Sequence, residues 1–159
     1  MSWNAYSSTY NKAAIFTPKI FPKAITIIKF KNTIVVKLHA DKHPISMISA
    51  YSSPTADINL TLQEIKNVIK TIPKEKFSIG ADLNGHNPLL GNSHSNPRGE
   101  AILSFILANN LYINNTPDAP TTFTRNIDKR WNDLTVCSQH LIEEIENWEV
   151  LEEPSFSDH

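Results

Sequence analysis

The chain has a single cysteine, Cys137, among 159 residues. No intrachain disulfide can form, and a cysteine-rich metal site is excluded. Such usage suits a reducing compartment, nucleus or cytoplasm, and not a secreted protein. An excess of charge of one sign is also missing: 15 Lys and Arg stand against 16 Asp and Glu, a net charge of −1. A strongly electrostatic nucleic-acid binder usually carries a basic excess. Local contacts to DNA through a few cations or a metal remain compatible with this balance. Long apolar runs are absent too. The most apolar stretch, Ala24 to Ile28, is short and followed by Lys29 and Lys31, so no membrane-spanning segment is expected. The opening Met1-Ser2-Trp3-Asn4-Ala5-Tyr6 lacks a basic segment followed by an apolar run, so no secretory leader is expected. Internal repeats and low-complexity tracts are lacking as well.

What is present is globular in composition, with 40% apolar and 19% charged residues, and the length suits one domain with a real core. Residues 1–12 show no period and are expected to be poorly ordered. Residues 13–159 are read as the domain. Ala13 to Thr17 forms a short apolar run. Ile25 to Phe30 and Thr33 to Leu38 flank Lys31-Asn32 and predict a hairpin. Ile45 to Tyr51 predicts another strand. Leu62, Ile65, Val68, Ile69 and Ile72 then recur at helical spacing until Pro73. Phe77 to Ala81 predicts a strand that runs into Asp82-Leu83-Asn84-Gly85. Residues 85–99 carry Gly, Pro, Asn and His and predict a long loop, a feature that is usually functional inside a compact domain. Ile102, Leu103, Phe105, Ile106 and Leu111 mark a second helix. Short strands follow at Tyr112 to Asn114, Thr121 to Thr124, Leu134 to Cys137 and Trp148 to Leu151. Irregular alternation of strands with two helices predicts an α/β (α+β) sandwich in which helices cover sheets.

Three strand ends or chain ends could carry chemistry. Asp82 and Asn84 follow an apolar strand, and in an extended chain residues i and i+2 point the same way. The acid could face a nucleophile or cation and the amide a phosphoryl oxygen. The same residue types also fit a strand running into an Asx turn. Asp133 opens the strand Leu134 to Cys137 and could orient a histidine, or act as a capping residue. Ser157-Asp158-His159 could supply a base and a metal ligand, or be a solvated tail.

Taken in order, these groups resemble the endonuclease/exonuclease/phosphatase (DNase I-like) superfamily. Within it they are most similar to the apurinic-type endonuclease domain of non-LTR (LINE-like) retrotransposons. Ile48-Ser49-Ala50-Tyr51-Ser52-Ser53-Pro54 resembles that family's strand ending in Tyr and Ser-Pro. Gly80-Ala81-Asp82-Leu83-Asn84-Gly85-His86-Asn87-Pro88-Leu89-Leu90-Gly91 resembles its Gly-Asp-Phe-Asn-Ala-His-His-Pro-Leu-Trp-Gly loop, with Arg98-Gly99 opening the next helix. Pro120-Thr121-Thr122-Phe123, Asn132-Asp133-Leu134-Thr135, Trp148-Glu149-Val150 and Ser157-Asp158-His159 match later motifs. Leu83, Asn87 and Leu90 depart from the pattern where Phe, His and Trp are usual.

The resemblance implies a DNase I-like four-layer sandwich of two mixed β-sheets flanked by helices. It implies Mg²⁺-dependent hydrolysis of a DNA phosphodiester to leave a 3′-hydroxyl, with Mn²⁺ as the alternative cation. That hydroxyl would prime the reverse transcriptase region of the same polyprotein. By resemblance, Asp82 positions or deprotonates water, and Asn84 donates to a nonbridging oxygen. Tyr51 donates to the phosphate, and His159 acts on the phosphoryl group. Asp133 holds His159, and Asp158 lies near the metal. His86, Asn87, Arg98, Arg125 and Arg130 are the implied DNA contacts. The family's front segment, with an Asn on a strand and a metal-binding Glu, has no counterpart before Ala13. The expectation is therefore an N-terminally truncated domain of weak or no activity by itself. The alternatives are a catalytically dead remnant, or a superfamily phosphatase acting on lipids or inositols.

Overall fold

The computed structural model describes residues 2–19, 24–39, 44–114, 123–125, 128–130 and 133–142; of residues 26, 27, 123–125, 128–130 and 133 it describes only the backbone. A six-stranded mixed sheet organises the chain, in the order β3(Ala24–Lys29), β4(Thr33–Leu38), β5(Ile45–Tyr51), β6(Lys76–Asp82), β10(Asp133–Cys137), β7(Tyr112–Ile113). All neighbours are antiparallel except β5 and β6, which run parallel. A parallel pair needs a crossover, and helix α1(Ile58–Thr71) supplies it.

Strand alternation decides what each sheet face does. Val35, Ile48, Ala50, Ile79, Ala81, Leu134 and Val136 point one way and are all buried. The periodic face of α1 (Leu62, Ile65, Val68) and Ile102 and Ile106 of α2(Pro97–Ala108) close over them as one core. Helix α1 starts at Asp57, whose carboxylate accepts the Asn59 N–H at 3.0 Å. It is pinned to the β3–β4 turn by Glu64, which accepts the Thr33 hydroxyl at 2.8 Å and the Asn32 N–H at 3.3 Å.

The opposite face is covered over β4 and β5 by a hairpin of β1(Trp3–Ser7) and β2(Ala14–Pro18). Ala13 packs there with Ile34 and Val36, joined by Tyr6, Ile15 and Tyr51. This corrects the expectation that the first dozen residues lack order: Trp3 pairs with Pro18, and Ser7 with Ala14. The turn is self-satisfied. Ser8 Oγ accepts the N–H groups of Lys12 and Ala13, and Asn11 takes the left-handed conformation (φ 54°). No period was visible because Trp3 and Ala5 face solvent while Asn4 and Tyr6 turn inward.

The remaining predicted elements fall close to their expected places. β8(Phe123–Arg125) and β9(Asp128–Arg130) form a separate two-stranded pair, and α3(Gln139–Ile142) follows β10. The predicted strand at Trp148 to Leu151 lies outside the described residues. Among the described residues no helix is long and apolar enough to cross a membrane. Ile65, 2% exposed within the core, and Leu60, 64% exposed on the same helix, give a paired test of this packing. Ile65→Ala should cost about 2–5 kcal/mol and Leu60→Ala less than about 0.5 kcal/mol, read by urea denaturation.

Candidate active site

The strand register draws three of the sequence-predicted residues into one line. Tyr51 is the Cα partner of Asp82 across β5 and β6, and Asp82 is the partner of Asp133 across β6 and β10. The line lies at the C-terminal ends of the two parallel strands, where an α/β sheet commonly opens to ligands. Asp82 is 9% exposed. Beside it a cleft of about 520 Å³ is floored by Ser49, Tyr51, Gly80, Asp82 and Thr135. Lys12, from the β1–β2 turn, stands on its wall. Sequence reasoning passed over Lys12 because its segment carried no pattern.

Asn84 does not reach this line by strand alternation. β6 ends at Asp82, and Asn84 has a left-handed backbone (φ 52°), a conformation Asn tolerates better than most side chains. Its amide Nδ2 donates to the Ser52 carbonyl at 2.9 Å. Ser52 is 2% exposed and uses all its polar groups here. Its N–H donates to the Asp82 carbonyl at 2.9 Å, its carbonyl holds Asn84, and its hydroxyl accepts from Arg98.

Arg98 ties together the loops around this line. Its Nε donates to the Leu83 carbonyl at 2.6 Å, Nη1 to the Ala56 carbonyl at 2.6 Å, and Nη2 to the Ser53 carbonyl at 2.8 Å and to Ser52 Oγ. The planar guanidinium fork thus staples the start of α2 to the β5–α1 loop and to the chain leaving β6. Four of its five N–H donors are engaged within the fold, which gives Arg98 a positioning role. Burial lowers its pKa from the ordinary value, and the charges of Asp57, Asp82 and Tyr51 pull it back up. An arginine remains a cation throughout.

The loop after Asn84 is likewise built inward. Asn87, 5% exposed, donates to Glu100 at 2.8 Å and to Ser95, and accepts the Leu89 N–H at 2.9 Å. It caps the short 3-10 turn Pro88–Leu90. His86 is also buried. Its N–H donates to Asn96 Oδ1 at 3.0 Å, its carbonyl accepts the Asn96 N–H at 2.9 Å, and its ring meets His94. Gly99 lies directly beneath: a Cβ there would come within 1.9 Å of the His86 carbonyl oxygen.

Arg125 and Arg130 fall on β8 and β9, with side chains that are not described. Asp133 is placed by its backbone alone. Asp158 and His159 lie outside the described residues. Among the described residues no three His, Cys, Asp or Glu side chains converge as a metal site.

A family model described as "Endonuclease-reverse transcriptase" matches residues 45–159. The endonuclease domain of TRAS1, a telomere-specific non-LTR retrotransposon, superposes with a TM-score of 0.89 at 26% identity, over 99% of this chain and 76% of that one. Beta toxin from Staphylococcus aureus matches with a TM-score of 0.55 at 16% identity, over 80% of this chain and 53% of that chain. Truncated Caenorhabditis elegans TDP2 gives 0.52 at 12%, over 86% and 61%. The last two likenesses concern fold alone, and the chain spans less than two thirds of each of those proteins. No curated protein sequence gives a significant match. The fold is therefore DNase I-like, of the endonuclease/exonuclease/phosphatase class. Within that class, the chain belongs to the endonuclease–reverse transcriptase family.

Arg98→Ala should lower stability by about 1.5–3 kcal/mol, since it strands the Leu83 carbonyl and the Ser52 hydroxyl, on two buried residues that a charged donor now satisfies. Hydrogen exchange at the Ser52 N–H should accelerate. Arg98→Lys should restore only part of the loss, because an ammonium cannot reproduce the fork.

Proposed function

We propose that the chain is the nuclease part of a retroelement protein and hydrolyses a phosphodiester in one DNA strand, leaving a 3′-hydroxyl. The alignment of Tyr51, Asp82 and Asp133 across three strands beside an open cleft carries this reading. Asp82 would hold the attacking water and draw on its proton. Asn84, fixed through one amide N–H by Ser52, keeps a second N–H to donate to a nonbridging phosphoryl oxygen. The Tyr51 phenol would donate to the same phosphate, and Lys12 would meet the neighbouring backbone charge. Asp133 would orient His159, the group assigned to the phosphoryl centre, and favour its protonated form.

The donors fit a hard cation in kind. They are oxygens, from Asp82, Asn84 and Asp158, and magnesium takes oxygen ligands. Mg²⁺, or Mn²⁺, would neutralise charge developing on the phosphate and leaving oxygen. The 3′-hydroxyl would then serve a reverse transcriptase region of the same polyprotein. With a net charge of −1, steering of DNA by the whole molecule would be weak, and contacts at the cleft would matter more.

Mg²⁺-dependent conversion of supercoiled plasmid to the nicked circle tests this reading. The chain should nick slowly, Asp82→Ala and Asn84→Ala should abolish nicking, and a polymerase should extend the nicked product directly. Nicking that survives Asp82→Ala, or hydrolysis of phosphoinositide in place of plasmid, would sink the proposal.

A further inference from the structure

The net charge of −1 conceals a division within the chain. Residues 1–40 hold six of the 15 Lys and Arg and none of the 16 Asp and Glu. The fold brings two turns of this acid-free segment to the end of the sheet where Tyr51 and Asp82 lie. The Thr9 N–H donates to the Phe30 carbonyl at 2.7 Å and the Tyr10 N–H to the Lys31 carbonyl at 3.2 Å, which fastens the β1–β2 turn to the β3–β4 turn. The Tyr51 N–H donates to the Asn32 carbonyl at 3.0 Å, which fastens the β3–β4 turn to the end of β5. We propose that these two turns grip a DNA strand beside the cleft and stack one of its unpaired bases on Tyr10, so that the favoured substrate is a duplex interrupted by unpaired nucleotides.

Three exposed lysines supply the charge. Lys12 stands on the cleft wall. Lys29 is the Cα partner of Ile34, and cross-strand partners share a sheet face. Ile34 packs under the β1–β2 hairpin, so Lys29 belongs to the cleft side of the sheet. Lys31 lies in the β3–β4 turn itself. All three are exposed, and among the described residues none of them forms an ion pair. Glu64 does meet the β3–β4 turn, but from the helix side, where Thr33 and Asn32 engage it.

Lysines hold phosphates whatever the base sequence. Tyr10 adds selection. Its residue is 57% exposed, and Lys31 Nζ stands over the ring, 5.7 Å from its centroid. A cation on one side leaves the other side of the ring to a base. Stacking on an aromatic ring is open to every base that has a free face, and a base must leave the duplex stack to have one. The platform is held in advance: Ser8 Oγ accepts the Lys12 and Ala13 N–H groups within the turn. Little ordering is then left for binding to impose. The choice of DNA as the ligand rests on the nuclease reading above.

Fluorescence polarisation of the whole chain in EDTA tests the platform with two labelled duplexes, one fully paired and one carrying a short central run of mismatches. The mismatched duplex should bind more tightly by about fivefold or more. Tyr10→Ala should remove that preference, and Tyr10→Phe should keep it. Lys12→Ala and Lys31→Ala should weaken binding of both duplexes and each lower the slope of log affinity against log salt by about one unit. Lys70→Ala, an exposed change on α1, should bind as the parent does. Equal binding of the two duplexes by the parent, a preference that survives Tyr10→Ala, or an unchanged salt slope in the Lys12 and Lys31 variants would overturn the proposal. So would competition by polyglutamate as strong as by unlabelled DNA, which would mark a surface for acidic protein. EDTA withholds the metal, so a chain that shows the preference but does not nick plasmid would sink the nuclease reading alone. A chain that nicks plasmid without the preference would sink this inference alone.

Discussion

Everything at the candidate site depends on how Ser52 and Arg98 hold two strand ends together. β5 and β6 run parallel, so their ends are not joined by a turn, and each continues into its own loop. Nothing in the ladder itself sets those loops relative to one another. Ser52 closes the gap with its N–H, carbonyl and hydroxyl, and Arg98 reaches across with a fork that touches both loops. Four acceptors around one guanidinium outweigh the cost of partly burying it, because each bond to a charged donor is stronger than a neutral one. The relative placement of Tyr51, Asp82 and Asn84 follows from that staple.

The sheet divides labour between its faces. One is filled by α1 and α2 and carries most of the apolar burial. Among the described residues the other is partly covered by the β1–β2 hairpin, and Gly80, Asp82 and Thr135 lie beside that cover, lining the cleft. A single strand such as β6 serves both functions, because Ile79 and Ala81 point to the helices while Gly80 and Asp82 point to the cleft. Packing on one side thereby fixes the geometry on the other, with no side chain shared between them.

Much of this was legible in the sequence where periodicity and position coincide. β5 was bounded correctly by Ile45 and Tyr51, and α1 by its Leu62-Ile65-Val68 repeat and Pro73. Family motifs singled out Asp82 and Asp133, which the register then sets side by side. What was not legible required tertiary partners. Trp3 to Ser7 becomes a strand only because Ala14 to Pro18 lies opposite. The i, i+2 rule fails at Asn84 because the strand has already ended and the backbone turns left-handed. Arg98 looks from sequence like any exposed cation, and only the folded loops reveal its carbonyl acceptors. Asn87 looked like a loop residue pointing outward, yet it is among the more buried polar groups.

Gly80 offers a different use of the same architecture. A Cβ built on it meets no described atom within 4 Å, although it sits in the floor of the cleft on a central strand. Glycine in a strand interior usually marks a bulge or a close approach, and here, among the described residues, a side chain at that position would meet nothing. A reporter group attached at that position would look straight into the cleft from a rigid base. It would register the arrival of any occupant without drawing on the side chains assigned to the chemistry.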